Sequence, residues 1–260
     1  AVLKAEVEKP GGVIDWGKSL VLRVSGAVLN DARRWGYTPD ARSRFDIAIT
    51  WLVRRINWLN SRFTTPTVKN LVILPKSNGA VSLTGTGKWA YTGGGTAPFT
   101  SAAGNPLGGH AVRLTWSAAP TYPVAGPYMN NIPAEAGKTY TALVLVRCSK
   151  PQRIDFDVEH KPAAGPTVAR TTARNVDVPA NRMVTLPVVI FTQPAETTRV
   201  QLTLFNATGF PWEIGDWYEI CGVMVVEGAF PDLRFADPVT STSWVWDGVP
   251  FNSTSTGPTP

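Results

Sequence analysis

Beyond Pro66 the chain never runs far without a turn residue. Short stretches rich in Val, Thr and aromatic side chains are each closed by Gly, Pro or Asn: Ala80–Thr84, Lys88–Thr92, Ala111–Trp116, Thr139–Cys148, Arg153–His160, Met183–Phe191, Arg199–Phe205 and Trp217–Val226. Punctuation this dense breaks helices, whereas strands need only a handful of residues between turns. The sequence therefore predicts a mainly β fold, an antiparallel β-sandwich of jelly-roll type over residues 67–246. Gly93 to Pro106 and Ala118 to Pro133 read as long loops, and residues 247–260 (DGVPFNSTSTGPTP) as a Ser/Thr/Pro-rich tail with little to bury. Ten Trp, ten Phe and six Tyr within a 43% hydrophobic composition supply the apolar surface for a large core.

Residues 1–66 have another character. Residues 1–37 read as an extended N-terminal arm with one strand, Leu20 to Val24. Thr38 as N-cap and Pro39 at the first helical position open an amphipathic α-helix that stops before Thr64-Thr65-Pro66, so residues 38–66 form a helix and linker. Within it Phe45, Ile49, Leu52, Ile56, Leu59 and Phe63 alternate spacings of four and three, the heptad pattern of a helix-to-helix seam. The seam predicts an assembly interface and a homo-oligomer, with a cyclic trimer favoured. Trp51, Val53 and Trp58 broaden the apolar surface, so a single helix packed on its own sandwich is the competing reading. The net charge of +6 is concentrated here: residues 1–66 carry eleven Lys/Arg against six Asp/Glu, and residues 67–260 fourteen against thirteen. The helix has arginines at 42, 44, 54, 55 and 62, but its Trp and Ile content belongs to a buried surface, which argues against nucleic acid as a partner.

No apolar stretch approaches the roughly 18–20 residues that span a bilayer, and the first twenty residues lack the apolar centre of a signal peptide, so no membrane insertion is expected. Cys148 and Cys221 lie in apolar strand-like runs and read as core thiols ahead of a disulfide.

Signatures of catalysis are scarce. His110 and His160 are distant from each other, no Cys/His spacing suits a metal, and Gly93-Gly94-Gly95 lacks the Lys-Ser/Thr and helix of a phosphate loop, so no metal, cofactor or catalytic residue is expected. Asp155, Asp157 and Glu159 alternate with Ile154, Phe156 and Val158 and so share one strand face. They read first as a solvated outer face, ahead of a glycosidase acid–base pair or a patch for calcium or sugar hydroxyls. Saccharide binding calls for flat aromatic platforms beside amides. Trp116 and Trp217, inside apolar strands, read as core. Tyr122, Tyr128 and Trp212, in Pro/Gly-rich segments, are the candidate saccharide-binding aromatics, with Asn130 and Asn131 as their polar partners; Trp89, Tyr91 and Asn105 are further candidates. Trp244 and Trp246 read as a hook that anchors the terminus.

Asn70-Leu71-Val72 followed by the Trp-bearing run Lys88-Trp89-Ala90 resembles the opening of carbohydrate-binding modules of the family 4/9 type. The closing segment resembles the C-terminal part of such sandwiches in minor tail proteins of tailed phages infecting actinobacteria. It comprises GDWYEICGVMVVEGAF (Gly215 to Phe230), Phe235-Ala236-Asp237, and Ser243-Trp244-Val245-Trp246-Asp247-Gly248-Val249-Pro250 with Asn252-Ser253-Thr254-Ser255. Pro238 replaces the glycine that usually follows the acidic residue of the turn. The resemblance covers roughly residues 67–256 and implies a virion-surface jelly roll, either saccharide-binding or purely structural. The expectation is a non-enzymatic structural component of a phage virion, on the tail or capsid surface and assembled in the host cytoplasm. It would contact other virion proteins through its arm and helix; the alternative is a module that binds host cell-wall polysaccharide during adsorption.

Overall fold

The computed structural model describes residues 67–77, 79 and 81–259. The extended arm, the amphipathic helix and the seam from Phe45 to Phe63 lie outside them. The described residues contain fourteen strands and no helix, hence no helix long and apolar enough to cross a membrane.

Two antiparallel sheets face each other. One has nine strands and is built on β6 (Thr139–Cys148) and β12 (Trp217–Glu227), which pair along almost their whole length. β6 carries β10 (Val189–Thr192) and β9 (Val184–Thr185) on its other side. β12 carries β4 (His110–Thr115), itself paired with β3 (Phe99–Ala103), and then β1 (Thr67–Asn70). β14 (Ser255–Pro258) lies between β1 and the short edge strand β13 (Val245–Trp246). The second sheet has five strands in the order β2 (Trp89–Thr92), β5 (Gly126–Pro133), β11 (Arg199–Asn206), β7 (Gln152–Lys161) and β8 (Ala169–Val178).

β6 and β12 are nearly continuous apolar runs because both their faces are covered. Tyr218, Ile220, Val223 and Val225 enter the core between the sheets, where Trp89, Trp116, Met129, Phe156 and Leu204 are also buried. Cys221, Met224 and Val226 enter a second cluster on the outer face, beneath Leu233, Phe235 and Trp244 of the C-terminal segment. A bulge between Ile220 and Gly222 lets Cys221 and Gly222 both face that outer layer. Cys148 belongs to the inner cluster and Cys221 to the outer one, and both thiols are free.

Two buried polar groups tie the layers together. The Asn70 amide donates to the Val223 carbonyl and accepts from the backbone N–H groups of Val72 and Val225, fastening β1 to β12. The Lys76 ammonium, fully buried, donates to the carbonyls of Leu107 and Gly108 and lies 3.0 Å from the equally buried Asp237 carboxylate. Asp237 in turn accepts from the N–H groups of Val239 and Thr240, so one ion pair fixes the C-terminal segment over the sheet.

Several strands differ from the sequence reading. Ala80–Thr84 was expected as a strand, but among its described residues only Thr84 forms an isolated bridge, to Trp89. Pro187 divides the single strand expected over Met183–Phe191 into β9 and β10. The two expected long loops contain β3 and β5, and the polar, largely exposed β8 carries no apolar alternation that would have disclosed it. Residues 255–258 are not a tail with little to bury: they form β14, and Trp244 packs against Gly257, where an added Cβ would meet the indole at 2.2 Å.

Candidate functional site

A cleft of about 530 Å³, within the usual range of ligand pockets, lies where the β2 edge of the five-stranded sheet meets the chain entering β3. Its aromatic wall is Tyr91 and Phe99, both half-buried, with ring centroids 6.4 Å apart and planes at 52°. Tyr91 is held from behind by an edge contact with Trp116 at 5.7 Å, and its hydroxyl donates to the Gly95 carbonyl. Thr84, Gly85 and Thr86 form a rim, and fully buried Trp89 lies beneath. The polar wall is Asn130 and Asn131.

A register jump explains how two consecutive residues reach one cleft. Val200 pairs with Ile132 but Leu202 pairs with Met129, so Asn130 and Asn131 together oppose Gln201. Asn131 takes the left-handed conformation (φ 58°), which asparagine tolerates better than most residues. Its amide is oriented by neighbours: Oδ1 accepts from Arg199, whose Nε donates to the Pro162 carbonyl, and Nδ2 donates to Asn130 Oδ1 at 3.1 Å. With Oδ1 so engaged, the Asn130 Nδ2 group has no protein acceptor among the described residues and is available to a ligand hydroxyl. A half-buried aromatic pair facing an oriented amide pair can stack the apolar face of a sugar ring and hydrogen-bond its hydroxyls.

The structure brings together only some of the residues singled out from sequence. Asn130, Asn131, Tyr91 and Trp89 meet at the cleft. Tyr128 is half-buried on the outer face of β5, beside Ala90 and Thr203 and outside the cleft. Tyr122 is 64% exposed in the loop that precedes β5, where its backbone N–H donates to the Gly93 carbonyl. Trp212 is not a ligand platform. It is 3% exposed, its ring N–H donates to the Ala125 carbonyl, and its indole meets Tyr218 edge-on at 5.8 Å, so the Pro-rich segment folds inward there. Asn105 is likewise structural, donating to the Cys221 carbonyl at 2.8 Å. Phe99 and the Thr84–Thr86 rim were missed: Phe99 falls in a segment read as a loop, Thr84 at the end of an expected strand, and Gly85 and Thr86 in the connection after it.

The acidic strand face also departs from expectation. Asp155, Asp157 and Glu159 do lie on the face opposite Ile154, Phe156 and Val158, but that face is not solvated. Asp157 and Glu159 are buried, and Glu159 is bound by Thr167 (2.7 Å), Thr203 (3.3 Å) and Arg170 (3.3 Å). Asp155 accepts from Arg174 and from the Asn175 N–H. Arginines of the edge strand β8 lie over these acids and cover them. Among the described residues no group of His, Cys, Asp and Glu is placed to hold a metal ion.

No model of a known protein family matches the chain, nor does any protein of curated function. Among solved structures, it is similar to the CBM22-1 xylan-binding domain of Paenibacillus barcinonensis Xyn10C (15% identity, TM-score 0.41, 62% of this chain and 92% of that one). It is also similar to a CBM4 module (21% identity, TM-score 0.33, 54% of this chain and 94% of that one). A third likeness is to the enzymatically active domain of tailspike protein 4 of bacteriophage CBA120 (15% identity, TM-score 0.39, 60% of this chain and 21% of that one).

Proposed function

We propose that residues 67–260 act as a non-catalytic saccharide-binding module whose site is the cleft between Tyr91, Phe99, Asn130 and Asn131. The observation that carries this reading is the Asn130–Asn131 bulge: a strand irregularity turns two amides into one cleft, opposite an aromatic pair. The cleft holds no nucleophile paired with a base, so recognition without bond cleavage suits its chemistry. The closing segment's resemblance to phage minor tail proteins supplies the setting: a virion-surface protein that meets cell-wall polysaccharide of an actinobacterial host.

Retention of the purified chain on immobilised actinobacterial cell-wall polysaccharide tests the proposal. The unmodified protein is expected to be retained, and Tyr91→Ala and Asn130→Ala to lose roughly tenfold in affinity, the scale of one stacking or hydrogen-bonding contact. No retention of the unmodified protein, or equal retention of both variants, sinks the cleft as the site. The virion setting stands or falls separately, on detection of the chain in purified phage particles.

A further inference from the structure

We infer a second binding site, for an oxyanion carried on a polymer, at Arg113, Arg147 and Trp217 on the outer face of the nine-stranded sheet. Glu219 of β12 is the register partner of Arg113 in β4 on one side and of Arg147 in β6 on the other, so the three side chains form one row across adjacent strands. The Glu219 side chain is 0% exposed. Its Oε1 accepts from Arg113 Nε (2.8 Å) and Nη2, and its Oε2 accepts from Arg147 Nε (2.6 Å) with Arg147 Nη2 at 2.5 Å. One guanidinium would neutralise a buried carboxylate; the second leaves a surplus positive charge. Neither arginine has another acidic partner among the described residues, and each keeps its Nη1 group unassigned.

Both arginines remain open to solvent, with side chains 32% and 19% exposed. They are also rigid. Glu219 grips each one by two nitrogens, and Trp217, two residues along the same face, lies 4.3 Å from the Arg113 guanidinium carbon and 5.7 Å from that of Arg147. The C-terminal segment packs further along this face, over Cys221, Met224 and Val226. Two fixed guanidinium groups with unused donors and one net charge match a single-charged oxyanion, because Arg pairs with phosphate and carboxylate oxygens in planar, multidentate geometry. Along a polymer such groups occur as phosphodiesters or as uronate carboxylates, and the site's chemistry is common to both. This site shares no residue with the lining of the Asn130–Asn131 cleft and does not depend on it.

The test is affinity electrophoresis of the full chain in gels containing poly(glycerol phosphate), polygalacturonate or neutral dextran, at low and high salt. Either charged polymer is expected to retard the protein, in a manner abolished by salt, while dextran used as the uncharged control shows no dependence on the arginines. Arg113→Gln and Arg147→Gln each leave Glu219 with one arginine, so folding is preserved, which circular dichroism checks; each is expected to weaken retardation about tenfold. Arg174→Gln, which removes the same charge from the exposed edge strand β8 of the five-stranded sheet, is expected to leave it unchanged. Retardation by one polymer alone identifies the source of the oxyanion. No retardation by either polymer, or the same retardation in both arginine variants as in the unmodified chain, overturns the inference.

Discussion

Glu219 shows what single residues in this chain disclose. An acid inside the run WYEICGVMVV is a sequence-level anomaly, because a carboxylate in a doubly covered strand must find cations, yet nothing local says that Arg113 and Arg147 supply them from strands far away in sequence. Asn70 has a similar history. It was conspicuous as part of the Asn-Leu-Val opening, and its role proves to be structural: a buried amide that satisfies three backbone groups. The thiols were legible outright, since Cys in an apolar run has few destinations besides the core. Their burial carries a pH consequence. Desolvation, reinforced by the Glu219 charge, pushes the Cys221 thiol up to about 12 from its ordinary 9.0, and burial also raises Cys148 and the Tyr218 phenol. The folded state therefore holds these protons more tightly than the unfolded chain does. Stability is full below pH 9.0 and declines as pH rises toward 12. Urea unfolding midpoints at about pH 8 and about pH 10.5 measure the decline, and in Cys148→Ala/Cys221→Ala it is expected to be shallower.

At the scale of the element, strands with an apolar face announced themselves and those without did not. β6 and β12 were readable nearly to the residue because both are buried on two sides. β5 was hidden by Pro127, Asn130, Asn131 and Pro133, the residues of a loop, and it is this loop-like composition that produces the bulge and hence the cleft. The candidate site was thus half visible: its amides stood out as polar groups beside aromatics, while Phe99 could not be assigned until β3 was seen to pair with β4. β14 escaped because Ser255, Thr256, Gly257 and Pro258 have neither β-branched runs nor alternation; its place is set by pairing with β1 and by the Trp244 indole lying on Gly257. Gly257→Ala would drive a methyl into that ring. It is expected to destabilise the fold by about 1–3 kcal/mol through overpacking, with accelerated amide exchange in β1 and β14 before the rest of the sheet. Unchanged exchange there would mean that Trp244 moves aside freely.

For the molecule as a whole, the β-sandwich over the residues after Pro66 followed from the density of turn residues, and the two layers required no more than that. The earlier quarter of the chain poses a separate question in solution. The heptad spacing from Phe45 to Phe63 favours a trimer over a helix packed on its own sandwich as an expectation, and sedimentation of Ile56→Asp beside the unmodified chain tests it: a threefold drop in mass is the expected outcome, and identical masses would remove this segment from any oligomer interface. A trimer would matter to both proposed binding sites, because three weakly binding modules held together gain avidity that none has alone.

The pairing of β1 with β14 has a mechanical meaning. Thr67 and Pro258 are register partners, so the backbone enters and leaves the sandwich at one corner. Tension applied across those two points would peel the strands apart one hydrogen bond at a time. A load applied to Thr67 along the axis of β1 acts differently. It pulls β1 lengthwise against β14 and against the Asn70 clamp on β12, so the bonds there must fail together, not in succession. A pull on Thr67 along the axis of β1 thus meets more resistance than a pull that opens the corner between Thr67 and Pro258.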